Sequence, residues 1–237
     1  MGQSYFIWKK TDCRAMGCRL KGPFPIIRPE ERVQHIQIPG RSGDMTLLEG
    51  QDIYNSYIQT GTIMAHGSAR MGDIYDWLRG SDYVTFSGEP DKKQAARIIG
   101  AITLNRHSFN LDWWEGEVQF YCQPLKVLLT DPVITVTSSG TDVMNRGDVI
   151  AKPLFKVTAN STSAVVASGG NSLTVTGLTS GNVYYIDSDA QEVYNADRSA
   201  ILTKDSTGNF PTFNRGVNSV TGSGWSKLEI ERRERFL

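Results

Sequence analysis

Glu115 and Glu117 stand two apart in the run Trp113-Trp114-Glu115-Gly116-Glu117-Val118-Gln119-Phe120-Tyr121-Cys122. On an extended strand this spacing puts both carboxylates on one face, about 6 to 7 Å apart, near the separations that glycosidases use. The pair is the best support for an enzyme that the sequence offers. Alternate polar residues are equally what the solvated face of an antiparallel strand carries, and that plainer reading is preferred. The tandem Trp113-Trp114 suggests a sugar platform, but alternation sends the two rings to opposite faces and one of them toward the core.

The other chemical residues are more scattered. Cys13 and Cys18 have four residues between them, and no second Cys or His pair follows at zinc-ligand spacing. His35, His66 and His107 are isolated and belong to no H-E-x-x-H helix. Asp187, Asp189 and Glu192 could supply oxygens to calcium, yet the rest of an EF-hand loop is missing and Asp and Ser also favour hairpin turns. Arg146-Gly147-Asp148 spells an adhesion tripeptide where a turn into a strand is expected, and it carries no functional weight. Tyr184, Tyr185 and Tyr194 could line a saccharide groove, but strands also use aromatic residues to fill their cores. No P-loop, G-x-G-x-x-G or G-x-S-x-G is present. The expectation is a protein without enzymatic activity and without a catalytic, cofactor or metal site.

The elements that hold these residues read mainly as strands. Trp114, Val118, Phe120 and Cys122 alternate with Glu115, Glu117 and Gln119, the period of a strand with one buried face. Ala95 to Asn105 and Tyr83 to Phe86 are further candidates. A single helix is expected over Gly72 to Arg79, where Ile74, Trp77 and Leu78 share a face and Gly80 supplies the stop; so short a helix must dock on a sheet. From Asp131 onward the chain turns to Ser, Thr, Gly and Asn between short apolar runs. The boundary is placed within Asp131 to Asn145, where Thr135 to Thr141 is either a linker or an opening strand. Strands are then expected at Leu154 to Thr158, Leu173 to Val175, Asn182 to Ile186, Val193 to Tyr194, Ser219 to Thr221 and Trp225 to Ile230. Asp187-Ser188-Asp189 and Thr221-Gly222-Ser223-Gly224 read as hairpin turns. The alternating signs of Glu231-Arg232-Arg233-Glu234-Arg235 fit either a solvated strand end or an ion-pair ladder between subunits.

Composition narrows the partners. Lys+Arg and Asp+Glu both number 25, and the halves are balanced as well, with 15 basic and 14 acidic residues through Thr130 and 10 and 11 beyond it. A neutral chain lacks the field that binds many phosphates or an anionic bilayer, so protein surfaces are the expected partners. Met1 to Lys10 places its charges after a short apolar patch, the reverse of a secretory signal, and three cysteines are an odd number for a disulfide framework. Synthesis as a soluble protein in a reducing cytoplasm is expected.

Three features in order resemble the N-terminal domain of siphophage distal tail (Dit) proteins. They are Ile36-Gln37-Ile38-Pro39-Gly40-Arg41-Ser42-Gly43-Asp44, the Gly72 to Gly80 helix, and Trp114 to Pro124 ending in Phe120-Tyr121-Cys122-Gln123-Pro124. The second half looks like the galectin-like C-terminal domain of that family. Its matches are Asn145-Arg146-Gly147-Asp148 leading to Lys152-Pro153-Leu154, Tyr185-Ile186-Asp187, Phe210-Pro211 with Gly216-Val217-Asn218, and Arg235-Phe236-Leu237. The resemblance implies a mainly β protein. Residues 1–130 would form a β-sandwich-like, ring-forming tail domain with one short helix, and residues 131–237 a galectin-like antiparallel β-sandwich. It further implies a hexameric ring, single or stacked in two, as the hub of the tail tip. Its partners would be the tail tube, the tail-associated protein and receptor-binding or baseplate proteins, with DNA passing through unbound, no membrane, no cofactor and no metal. The alternative is a carbohydrate-binding module for a bacterial surface glycan.

Overall fold

The structure, a computed structural model, describes residues 4–67, 71–106 and 112–237. The chain divides into two compact units, Met1–Leu129 with Leu237, and Thr130–Phe236. Among the described residues no helix is long and apolar enough to cross a membrane.

Among the described residues the first unit is built from strands β1 (Phe6–Trp8), β2 (Thr11–Asp12), β3 (Cys18–Leu20), β4 (Val33–Gln37), β5 (Asp44–Leu48), β6 (Tyr57–His66), β7 (Ser81–Phe86), β8 (Lys92–Ile99), β9 (Leu104–Arg106) and β10 (Trp113–Leu128), with the helix α1 (Met71–Trp77). The main sheet runs β2-β1-β7-β8-β10-β6-β3. β10 is its spine, holding β6 along one edge and β9 and then β8 along the other. Ala95 to Asn105 is therefore not one strand, because the chain breaks between β8 and β9 where β10 changes partner.

The alternation expected along β10 is realised. Val118, Phe120 and Cys122 are fully buried, and Tyr121 between them is exposed. The Phe120 ring meets Phe6, Trp8, Phe24 and Phe86 with centroids 5.4 to 5.9 Å away. β1 lies three strand spacings from β10 in the sheet order, about 14 Å if the sheet were flat. Contact between Phe6 and Phe120 thus requires the sheet to curl over its own apolar face. α1 seals the curl: Ile74, Trp77 and Leu78 are buried as their spacing predicts. Trp77 stacks on Phe6 at 5.4 Å. Two reciprocal bonds pin it, the Trp8 indole donating to the Trp77 carbonyl (3.0 Å) and the Trp77 indole to that of Trp8 (3.1 Å). Indole N–H groups in a core require such acceptors.

The second unit is an antiparallel sandwich of two five-stranded sheets. One contains β11 (Ile134–Val136), β20 (Trp225–Glu231), β13 (Leu154–Ala159), β16 (Val183–Asp187) and β17 (Glu192–Asn195), in that order. The other contains β12 (Thr141–Asn145), β19 (Gly216–Ser223), β14 (Ser163–Ser168), β15 (Asn171–Thr176) and β18 (Ser206–Gly208). β13 and β14 alternate residue by residue between half-buried and buried positions, sending Phe155, Val157, Ala164 and Val166 into one core. Thr135 to Thr141 divides between the two readings: Thr135 and Val136 end β11, Thr141 opens β12, and residues 137–140 link these strands across different sheets. One expected hairpin is corrected. Thr221-Gly222-Ser223-Gly224 links β19 to β20, which lie in opposite sheets, so it is a crossover. The glycines serve close approach, because a Cβ on Gly222 or Gly224 would lie 1.9 Å from the Val165 or Ser163 carbonyl oxygen.

Phe120→Ala should lower the stability of the first unit by about 3 to 5 kcal/mol, as expected when a fully buried aromatic leaves a cavity. Gln119→Ala, one position along on the outward face, should cost less than about 0.5 kcal/mol. Denaturant melts followed by tryptophan fluorescence read this unit selectively, since four of the five tryptophans lie in it.

Candidate functional site

Glu115 and Glu117 lie side by side on the outward face of β10, opposite Met64 and Thr62 of β6. Lys21 Nζ donates to Glu115 Oε1 at 2.6 Å, and Gln119 Nε2 donates to Glu117 Oε1 at 2.7 Å. Each carboxylate is thus held by its own neighbour. The tandem tryptophans diverge as alternation requires: Trp113 turns outward, edge-on to His66 (5.0 Å) and beneath the Arg19 guanidinium (5.5 Å), whereas Trp114 packs against the core. Arg14, Arg19, His66, Cys18 and Trp113 border an open recess of about 400 Å³. Its strongest donor is committed, because Arg14 Nε bonds both oxygens of Asp12. His35 lies 3.3 Å from the Thr46 hydroxyl, and His107 falls outside the described residues.

All three cysteines are free and buried. Burial pushes the Cys18 and Cys122 thiols up to about 12 and raises that of Cys13, so none is a thiolate at neutral pH. Among the described residues no three His, Cys, Asp or Glu side chains gather as a metal site.

In the second unit Asp187 closes the β16–β17 hairpin. Its Oδ1 accepts from the Asp189 and Ala190 amides, and Arg233 clasps both its oxygens at 2.7 and 3.2 Å. Asp189 pairs with Arg235 at 2.7 Å. The charged tail is therefore neither of the two things its sequence suggested. Arg232 and Glu234 are buried and paired at 2.9 Å within the chain, and Glu234 also accepts from the Arg146 amide. Arg146-Gly147-Asp148 is clamped by the same tail: the Asp148 amide donates to the Arg235 carbonyl, and a Cβ on Gly147 would stand 2.5 Å from that oxygen. Gly147 is buried, while Arg146 and Asp148 lie exposed on either side of it. Tyr184 borders an open recess of about 550 Å³ together with Asn182, Asn195 and Leu202. Tyr184 is buried with its hydroxyl accepting from the Thr179 amide, and Tyr194 stacks on Tyr185 (5.3 Å) beneath Arg198 (4.2 Å).

The feature that strand reasoning missed is β4–β5, a two-stranded ribbon outside the main sheet. It contains the Ile36 to Asp44 segment. Register pairs Ile36 with Met45 and Gln34 with Leu47 on one face, and Val33 with Leu48 and His35 with Thr46 on the other. Ile36, Ile38, Met45, Leu47 and Leu48 are all among the exposed large hydrophobics. The available signal was the run Ile36-Gln37-Ile38 and Met45-Thr46-Leu47 around a Pro-Gly turn.

The class that the fold defines is a two-unit, β-rich chain whose first unit carries an exposed apolar ribbon. No family model matches the chain, and no curated protein matches it. Among solved structures it is similar to the crystal structure of the SPP1 Dit (gp 19.1) protein, described as a paradigm of hub adsorption apparatus in Gram-positive infecting phages. The likeness covers 100% of both chains with a TM-score of 0.81 at 16% identity. The chain has that protein's fold, and the resemblance to distal tail proteins holds at the level of the whole fold.

Glu115→Gln and Glu117→Gln should leave assays on peptidoglycan and polysaccharides at background, where the native chain also stays. Stability should fall by no more than about 1 kcal/mol, as for an exposed ion pair. Product release by the native chain that either variant abolishes would restore the enzymatic reading.

The Asp187–Arg233 clasp makes the second unit acid-sensitive. Burial by itself raises the Asp187 carboxyl, but the Arg233 hydrogen bonds and the two amides outweigh it and leave the group below its ordinary 3.8. A lowered folded pKa means that this contribution is complete above 3.8 and is lost as the pH falls through the folded value. The difference in melting temperature between the native chain and Asp187→Asn should therefore be constant from pH 7 to about pH 5 and shrink below about pH 4.

Proposed function

We propose that the chain is a distal tail protein that closes a hexameric ring, single or stacked in two, at the tip of a long non-contractile phage tail. The ring is the hub that joins the tail tube, the tail-associated protein and the receptor-binding or baseplate proteins. One observation carries this reading: the fold is shared from end to end with a phage hub adsorption protein. A chance likeness of one sandwich would leave the other unit unmatched.

Residues 1–130 act as the ring-forming domain and residues 131–237 as a galectin-like docking domain on the outside. The activity is geometric, not enzymatic, and needs no cofactor or metal. Heterologous head-to-tail contacts close into a ring when the rotation between copies is right, and the ring leaves a channel. A formal net charge of zero suits such a channel, since a strongly basic wall would retain the phosphates it must let pass. The protein is made in the host cytoplasm and acts in the virion.

Negative-stain imaging of the purified full chain should show rings with a central hole and six-fold symmetry. Particles that remain single monomers at every concentration would overturn the assignment.

A further inference from the structure

The ribbon is poorly explained as part of a free subunit. An isolated two-stranded ribbon is marginal in water unless it gains a further strand or an apolar surface to cover it. Among the described residues β4 and β5 pair only with each other, and every residue from Gln34 to Gln51 is exposed. The hairpin continues downward through the Arg32 amide, which donates to the Ile53 carbonyl, to a bridge between Glu31 and Tyr54. From that root to the Gly40 tip is nine residues, a reach of about 30 Å. Such a projection adds nothing to the core of its own unit.

We propose that residues 30–55 are an arm that docks, through the apolar face of Ile36, Met45 and Leu47 with Ile38 beside it, onto a second copy of this chain. The receiving surface is the outward sheet face around Ile58 and Tyr121. This rests on the ring reading above and names the contact that closes the ring.

Three observations select that occupant. Tyr121 pairs across the sheet with Ile58 on one side and Arg97 on the other, and Ile58 and Tyr121 are 50% and 41% exposed. One unit thus carries both an apolar ridge and an apolar face, the two unlike halves of a head-to-tail contact. Ile58 in the same copy sits at the root of the arm, so the ribbon carries Ile36 and Met45 away from it. The size is also sufficient, since an arm of roughly 25 residues is what a standard interface takes from each partner. Charge sets no barrier either. The excess acid of the arm, Glu30, Glu31, Glu49 and Asp52 against Arg32, lies toward its root, the docking stretch 33–48 balances Arg41 with Asp44, and the receiving face mixes Arg97 and Lys21 with Glu115 and Glu117.

The test uses the full chain in two forms. Met45→Asp with Leu47→Asp puts charge on the docking face. Light scattering across a dilution series should show assembly shifted to at least about 100-fold higher concentration. Leu48→Asp, on the opposite face of the ribbon, should shift it far less. Separately, Met45→Cys with Tyr121→Cys should form, on mild oxidation, a ladder of disulfide-linked multimers that neither single variant gives. The native cysteines are buried and do not compete. Assembly of the Asp pair at native concentrations overturns the proposal, as does a cysteine pair that links only within one chain or not at all while rings persist. If the Asp pair fails to fold by circular dichroism, the cysteine ladder decides alone. A native chain that is monomeric throughout the series refutes the ring itself, a result distinct from rings that form without the arm.

Discussion

Phe120 is the constraint on which the first unit depends. It sits midway along the strand that pairs with β6, β8 and β9, and its ring must meet Phe6 and Trp8, which belong to a strand three places away. That contact exists only if the sheet curls, and the curl leaves a mouth that α1 closes through the Trp8–Trp77 pair. A helix of seven residues is too short to persist alone, so it is helical because the aromatic core receives it. The outward residues of the same strand, Glu115, Glu117 and Gln119, lie on the opposite face of the sheet and are tied to their neighbours there.

The second unit is held differently. Its sandwich core is a regular product of alternation, but its end is tied by charge: Arg232 to Glu234, Arg233 to Asp187 and Arg235 to Asp189. Two of these groups, Arg232 and Glu234, are buried. Buried pairs of this kind add little net stability compared with apolar residues, yet breaking one strands a charge, so they select one path for the tail over its alternatives. The path they select presses the tail against the Arg146–Asp148 turn. Only a glycine at 147 permits that approach, because a Cβ there would stand 2.5 Å from the Arg235 carbonyl oxygen.

Between a core secured by aromatic rings and a tail secured by ion pairs, the β4–β5 ribbon is conspicuous for having neither. Its side chains are apolar enough to belong to a core and exposed enough to belong to a surface. An exposed apolar segment of this size is the feature on which the proposed arm rests.

Alternation by itself determined a good deal. The inward set of Val118, Phe120 and Cys122, the buried stripe of Ile74, Trp77 and Leu78 and most strands of the second unit were legible, because burial on one face imposes a local period on the residues that meet it. The plainer readings of Glu115 and Glu117 and of the tandem tryptophans were legible for the same reason. What only the tertiary structure decided depends on partners distant in sequence. Thr221 to Gly224 looks like a hairpin turn until β19 and β20 are seen in opposite sheets, and turn residues alone do not say which sheet comes next. The charges of Glu231 to Arg235 look like a solvated end until Asp187, Asp189 and Arg146 arrive from more than 40 residues away. The ribbon carries the same alternating residues as a buried strand, and sequence period records that a face is apolar without recording what covers it.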